Sequence, residues 1–93
     1  MIKTSNQKAR QYVEARIVFK GSNTFSENTK TAYKVYSYGY HFPLFVRLYG
    51  PVDQWYENAD GYSQTTAKHK NQLRPSNLKM PIIKLSTQEM INL

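Results

Sequence analysis

The chain has no cysteine. That excludes disulfide staples, thiolate metal sites and a cysteine nucleophile, and it fits a reducing compartment. Acidic residues are few, six in all. Neither histidine sits in a His-x-x-x-His or His-x-Glu spacing, so the clustered ligands that a metal nuclease needs are missing. We expect no metal, no cofactor and no catalytic residue. A hydrolase or nuclease built on His69 and Asp60 is the weakest of three readings. Glycine is sparse, and Gly61 alone lies near the hydroxyl-rich stretch at 62–70 with no Gly-Lys-Thr after it. A phosphate-binding loop of the nucleotide-hydrolase kind is therefore excluded. No apolar run approaches the roughly 20 residues of a membrane span. Residues 1–5 carry no apolar core of signal-peptide length. The expectation is a soluble cytoplasmic protein with no membrane partner.

Basic groups and aromatic rings, by contrast, are plentiful. The net charge is +7 over 93 residues, and it is unevenly placed. Residues 1–34 carry seven basic and two acidic groups, residues 35–61 one and three, and residues 62–93 five and one. Basic flanks around a slightly acidic centre attract polyanions, of which nucleic acid is the commonest in a cell. Thirteen residues are aromatic, eight of them tyrosine. Large rings suit a thin core in a chain this short. Eight tyrosines exceed what that core needs, which leaves one or two for a partner and keeps a homodimer open.

Local patterns predict an α+β fold: one small domain over 1–93, an antiparallel meander of three to four strands with two or three short helices. Residues 1–5 read as a frayed terminus. Ser5 caps a helix to about Arg16, with Ala9, Tyr12, Val13 and Arg16 at helical spacing. Residues 17–19 end that helix or form a short strand. Residues 20–31 read as turn and loop anchored by Phe25. Strands follow at 32–40, with Tyr36, Tyr38 and Tyr40 on one face, at 44–49, and at 54–58 carrying Trp55. Arg47 is placed to pair with Glu57 across the sheet. Ser63 or Thr65 caps a second helix to about Leu73, and Pro75 stops it. Residues 76–93 form a C-terminal arm: a last strand or extended segment at 81–85, then a short helix opened by the capping box Ser86 to Glu89.

Tyr36-Ser37-Tyr38-Gly39, His41-Phe42-Pro43-Leu44, Trp55-Tyr56-Glu57-Asn58, and Tyr62-Ser63 with Thr65-Thr66 and Lys68-His69 together resemble a small uncharacterised domain family of bacteriophage and mobile-element proteins. Phe19 to Asn23 resembles it as well, so the likeness covers roughly residues 17–75. The resemblance implies a setting, the cytoplasm of a bacterial host, and no catalytic residues. Small proteins of that origin handle DNA or block host defence systems.

Two clusters carry the functional expectation. Ser63, Thr65, Thr66, Lys68, His69, Lys70 and Arg74 surround a helix start, where free backbone N–H groups and the positive dipole end favour phosphate. The same residues serve equally as a helix cap among solvated neighbours. Tyr38, Tyr40 and Trp55 can stack bases, or they can cover the sheet as core. The reading favoured is a non-enzymatic binding module for nucleic acid or a nucleoprotein. The alternative is a protein–protein inhibitor of a host defence effector, of anti-CRISPR or anti-restriction type. With the two helices on one face, Arg10, Arg16, Lys20, Lys68, Lys70 and Arg74 would form a basic strip.

Overall fold

Apolar residues alternate along the middle of the chain, and amphipathic segments lie on either side of it. The computed structural model describes residues 2–51, 53–61, 64–76 and 81–93. In chain order these form β1 (Ile2–Lys3), α1 (Asn6–Ala15), β2 (Phe19–Lys20), β3 (Thr24–Asn28), β4 (Ala32–Ser37), β5 (Pro43–Leu48), β6 (Gln54–Asn58), α2 (Gln64–Leu73), β7 (Ile83–Leu85) and α3 (Thr87–Ile91). The strands make a single sheet in sequential order, β1 to β7. The four pairings from β2 to β6 are antiparallel. The two outermost, β1 with β2 and β6 with β7, are parallel.

Those two parallel pairs each need a crossover, and α1 and α2 supply them. Four reversals separate β2 from β6, so these strands point the same way. Both crossovers also step in the same direction across the sheet. Equal handedness therefore puts both helices on one face, running parallel to each other. The contacts agree. Arg10 Nη2 donates to the Asn71 carbonyl (2.5 Å), and Glu14 accepts from the Ser76 N–H (2.6 Å). Residues in the same order along the two helices thus meet, and both N-termini lie at one end of the molecule.

Beneath the helices, Ala9, Val13 and Leu73 pack on Tyr33, Val35, Phe45 and Trp55. Each of these sheet residues faces the helices by the two-residue alternation of its strand. The opposite face is covered only in part. Met90 of α3 packs on Ala32 and Val46, with Leu48, Tyr56 and Leu85 around them. The capping box that opens α3 is present in full: Ser86 Oγ accepts the Glu89 N–H, and Glu89 accepts the Ser86 N–H.

The α+β class holds, as do α1, α2 and the meander β4 to β6. The predicted three- to four-stranded sheet does not, because seven strands pair. β7 lies within the last strand or extended segment expected at 81–85, and β2 takes in Phe19 of the short strand that 17–19 left open. β1 and β3 escaped for physical reasons. β1 is two residues long, too short to show a period. β3 turns polar residues inward. Thr24 and Ser26 are buried, and Ser26 Oγ accepts the Phe19 N–H at 3.0 Å, so its alternation does not read as apolar and polar. Residues 2–3 are tied down rather than frayed: Ile2 is in register with Phe19, and the Thr4 N–H donates to the Lys20 carbonyl (2.9 Å). The strand expected to reach residue 40 ends at Ser37, after a bulge between Val35 and Tyr36. Tyr38 has φ 66°, the left-handed region, and so leaves the row of tyrosines. Arg47 pairs with Asp53 (2.8 Å), not Glu57. The buried Glu57 is paired by Arg74 instead, at 2.7 Å.

Trp55, expected as a stacking or interface residue, is 1% exposed and packs edge-on against Tyr33 with centroids 6.3 Å apart. It is core. Trp55→Ala should cost about 3–5 kcal/mol of stability, measured by urea denaturation. A loss under about 1 kcal/mol would contradict its place in the core.

Candidate functional site

Where α1 and α2 begin, the start of α1, the turn at 21–23 and the end of β4 come together. Ser5 caps α1 from an extended backbone, its hydroxyl accepting the Lys8 N–H. Asn6 follows on the inward stripe that Ala9 and Val13 continue, and it is buried. Its amide donates to the Ser22 carbonyl (3.0 Å). Its Oδ1 accepts the Ser22 N–H (3.0 Å) and the Thr24 hydroxyl (2.7 Å). One side chain thus fixes the turn against the helix. Gly21 is required there, since a Cβ would overlap Asn6 Oδ1 and Thr24 Oγ1. Asn23 is left-handed (φ 59°), and its carbonyl accepts the Tyr38 N–H at 2.8 Å. The left-handed backbone of Tyr38 costs about 1–2 kcal/mol relative to a relaxed conformation. That bond holds the residue there, with the side chain about half exposed (49%).

Between these segments and α2 lies a cleft of about 370 Å³. Thr65, Lys68 and Gln72 line it from α2, with His69 beside them; Ser5, Gln7 and Asn23 close the other side. Among the described residues, none that lines it is acidic. Neither α1 nor α2 has an acidic residue in its first turn, although helix N-termini favour one. α3, remote from the cleft, does carry one in Glu89. Two positive dipole ends therefore open together without a carboxylate of their own.

His69 is buried at the cleft wall. Its Nδ1 is 2.8 Å from the Ser37 hydroxyl, and its ring lies 5.6 Å from that of Tyr38. Burial first, and the Lys68 charge second, hold its pKa below the ordinary value of about 6.5. A second cavity of about 290 Å³ adjoins the first. Lys20, Phe25 and Tyr38 line it, and Asn23 is common to both.

Of the expected phosphate-binding residues, Thr65, Lys68 and His69 meet at this cleft. The others do not. Ser63 lies outside the described residues. Thr66 is buried at 1% exposure, turned into the fold at the next helical position. Lys70 points to the far side, donating to the carbonyls of Asn58 (3.1 Å) and Asp60 (3.4 Å). Arg74 is committed to Glu57. The basic strip is broken accordingly, and Arg10 and Arg16 are also engaged, Arg10 with Asn71 and Arg16 over the Tyr49 ring. Asp60 accepts the Thr87 N–H (2.8 Å) rather than partnering His69. Tyr40 is 66% exposed, but on the other face of the sheet, against Phe25 and Tyr36 at 5.0 and 4.9 Å. The residues that sequence reasoning missed are Asn6 and Gln7; Lys20, expected in the basic strip, lines the second cavity instead. Asn6 carried a usable signal: a polar residue on an otherwise apolar helical stripe, three and seven positions before Ala9 and Val13.

No family model matches the chain, and neither the curated proteins nor the solved structures contain a significant match to it.

A depressed histidine pKa has a signed consequence. The unfolded chain binds the proton more readily than the fold does, so His69 contributes stability above about pH 6.5 that is lost as pH falls through its folded value. Asp53, Asp60 and Glu89 are held below the usual carboxylate range by hydrogen bonds from Arg47, Thr87 and Ser86, so their contribution is lost only in more acidic solution. Urea titrations at pH 7.5 and 5.5 should show wild type weakening on acidification and His69→Gln weakening less. Equal slopes would contradict the burial of a neutral imidazole.

Proposed function

We propose that the protein is a non-enzymatic binding module that takes the phosphate backbone of a nucleic acid, free or within a nucleoprotein, in the cleft at the shared N-terminal end of α1 and α2. One observation carries this reading: a cleft with Lys68 and hydroxyl and amide side chains, and no acid among the described residues, opens between the start of α1 and the side of α2 that runs from Thr65 in its first turn to Gln72 in its last. Side-by-side parallel helices bring like dipole ends together, and an anion relieves that repulsion. Lys68 is in no ion pair among the described residues, so its charge is available. Thr65 and Ser5 add hydroxyl donors at each helix start. On the resemblance noted above, the setting is the cytoplasm of a bacterial host and the gene belongs to a phage or mobile element.

A second reading rests on the opposite face. Phe25, Tyr36 and Tyr40 form a three-ring cluster with centroids within 5.1 Å, and Tyr40 and Ile91 beside it are exposed. Such a surface fits a protein contact and favours an inhibitor of a host defence effector.

Fluorescence-anisotropy titration of labelled DNA and RNA at two salt concentrations separates the two. On the first reading, affinity falls steeply with salt, and Lys68→Ala weakens binding and lowers the salt slope by about one. Arg74→Ala strips the partner from a buried carboxylate. It should lower stability while leaving the affinity of the folded protein unchanged. No binding at low salt would sink the nucleic-acid reading and leave the aromatic face as the place to seek a partner.

A further inference from the structure

We propose that Tyr38 is a wedge between two neighbouring nucleotide subsites, so that the surface takes a single strand with two consecutive bases parted by the tyrosine ring. This rests on the nucleic-acid reading above and specifies the form of the ligand. The two cavities, about 370 and 290 Å³, share Asn23 as a wall. Tyr38 lines the smaller one, and its ring lies 5.6 Å from that of His69, which lines the larger. Each cavity has one lysine, Lys68 in the larger and Lys20 in the smaller. Neither has an acidic lining residue, and neither lysine is in an ion pair among the described residues. The volumes fall on either side of the lower bound for ligand sites, roughly 300 Å³, which leaves room for no more than one small unit such as a nucleotide apiece.

Tyr38 is placed for the task before any ligand arrives. Its left-handed backbone lifts it out of β4, and the Asn23 carbonyl holds its N–H. Asn23 is fixed in turn by the neighbouring Ser22, clamped through both its backbone groups by the Asn6 side chain. The His69 imidazole stands 5.6 Å from the Tyr38 ring and tilted 39° to it, rather than stacked on its face, and half of the residue is open. A ring entering between two bases requires that they unstack. A flexible single strand does this easily, whereas a duplex must break its stack.

The test is competition against a labelled single-stranded 8-mer at low salt, using pdT, pdTpdT, (pdT)4, their ribouridine counterparts and a duplex 8-mer. The expected result is a sharp rise in affinity from one nucleotide to two and a shallow rise beyond. Single strand should be preferred over duplex by about tenfold or more. Lys20→Ala and Lys68→Ala should each flatten the step from one nucleotide to two. Tyr38→Leu should weaken binding about tenfold and remove the single-strand preference, while Tyr38→Phe, which keeps the ring, retains both. Circular dichroism checks that each variant folds, and the strand preference of wild type needs no variant. The deoxy and ribo ladders show which backbone is preferred. Duplex binding equal to single strand, with Lys68→Ala still weakening both, would overturn the wedge and leave the phosphate cleft standing. No competition by any of them, and no binding of the 8-mer itself, would overturn both.

Discussion

The structure depends on a parity constraint. Two parallel crossovers flank a meander with four antiparallel pairings, an even number, so the strands at its two ends point the same way. The helices that close the crossovers must then run parallel and start at the same end. One strand more or fewer in the meander would point α2 the other way and separate the two N-termini by the length of a helix. The cleft is thus a product of topology first and of side chains second. Its walls are the segments that follow β1 and β2, at Ser5 to Gln7 and Ser22 to Asn23, and the facing side of α2.

Side chains then refine what the topology offers. Asn6 joins α1 to the turn before β3, Gly21 makes room for that junction, and Asn23 carries the link on to Tyr38. The chain of contacts is short and polar, and much of it is buried. It holds a costly Tyr38 backbone in place beside a histidine that burial keeps neutral. The absence of carboxylates in the first turn of α1 and of α2 gives up about 0.3–1 kcal/mol per helix that an acidic residue would supply. A bound anion restores it.

Much of the fold was legible from residue patterns. Helical spacing and Ser5 located α1, Pro75 ended α2, and the Ser86 to Glu89 box placed α3. Alternating apolar residues located β4, β5 and β6. The arm at 81–85 was expected as strand or extended segment and forms β7, whereas β1 was hidden because two residues show no period, and β3 because it buries Ser26 and Thr24. The site was legible in part. Thr65, Lys68 and His69 fall on one helical stripe, three and four positions apart, and share the cleft. Thr66, Lys70 and Arg74 follow the other stripe, where Thr66 is buried, Glu57 takes Arg74, and the Asn58 and Asp60 carbonyls take Lys70. A run of hydroxyls and bases in sequence cannot say which stripe faces the sheet. That is settled by Leu73 and the pairing partners. Tyr38 and Tyr40 looked equivalent by alternation, but the left-handed turn at Tyr38 brings it beside His69 while Tyr40 packs on Phe25 and Tyr36.

The most direct test of the shared helix end is amide chemical-shift mapping of the uniformly labelled protein during titration with a short 5′-phosphorylated oligonucleotide. The account predicts that the largest shifts fall on the N–H groups of Asn6, Gln7, Asn23, Tyr38, Thr65 and Lys68, with little change at Lys70, Arg74 or Met90. Shifts gathered instead around Lys34, Met90 and Ile91, or spread without focus over the basic surface, would contradict it.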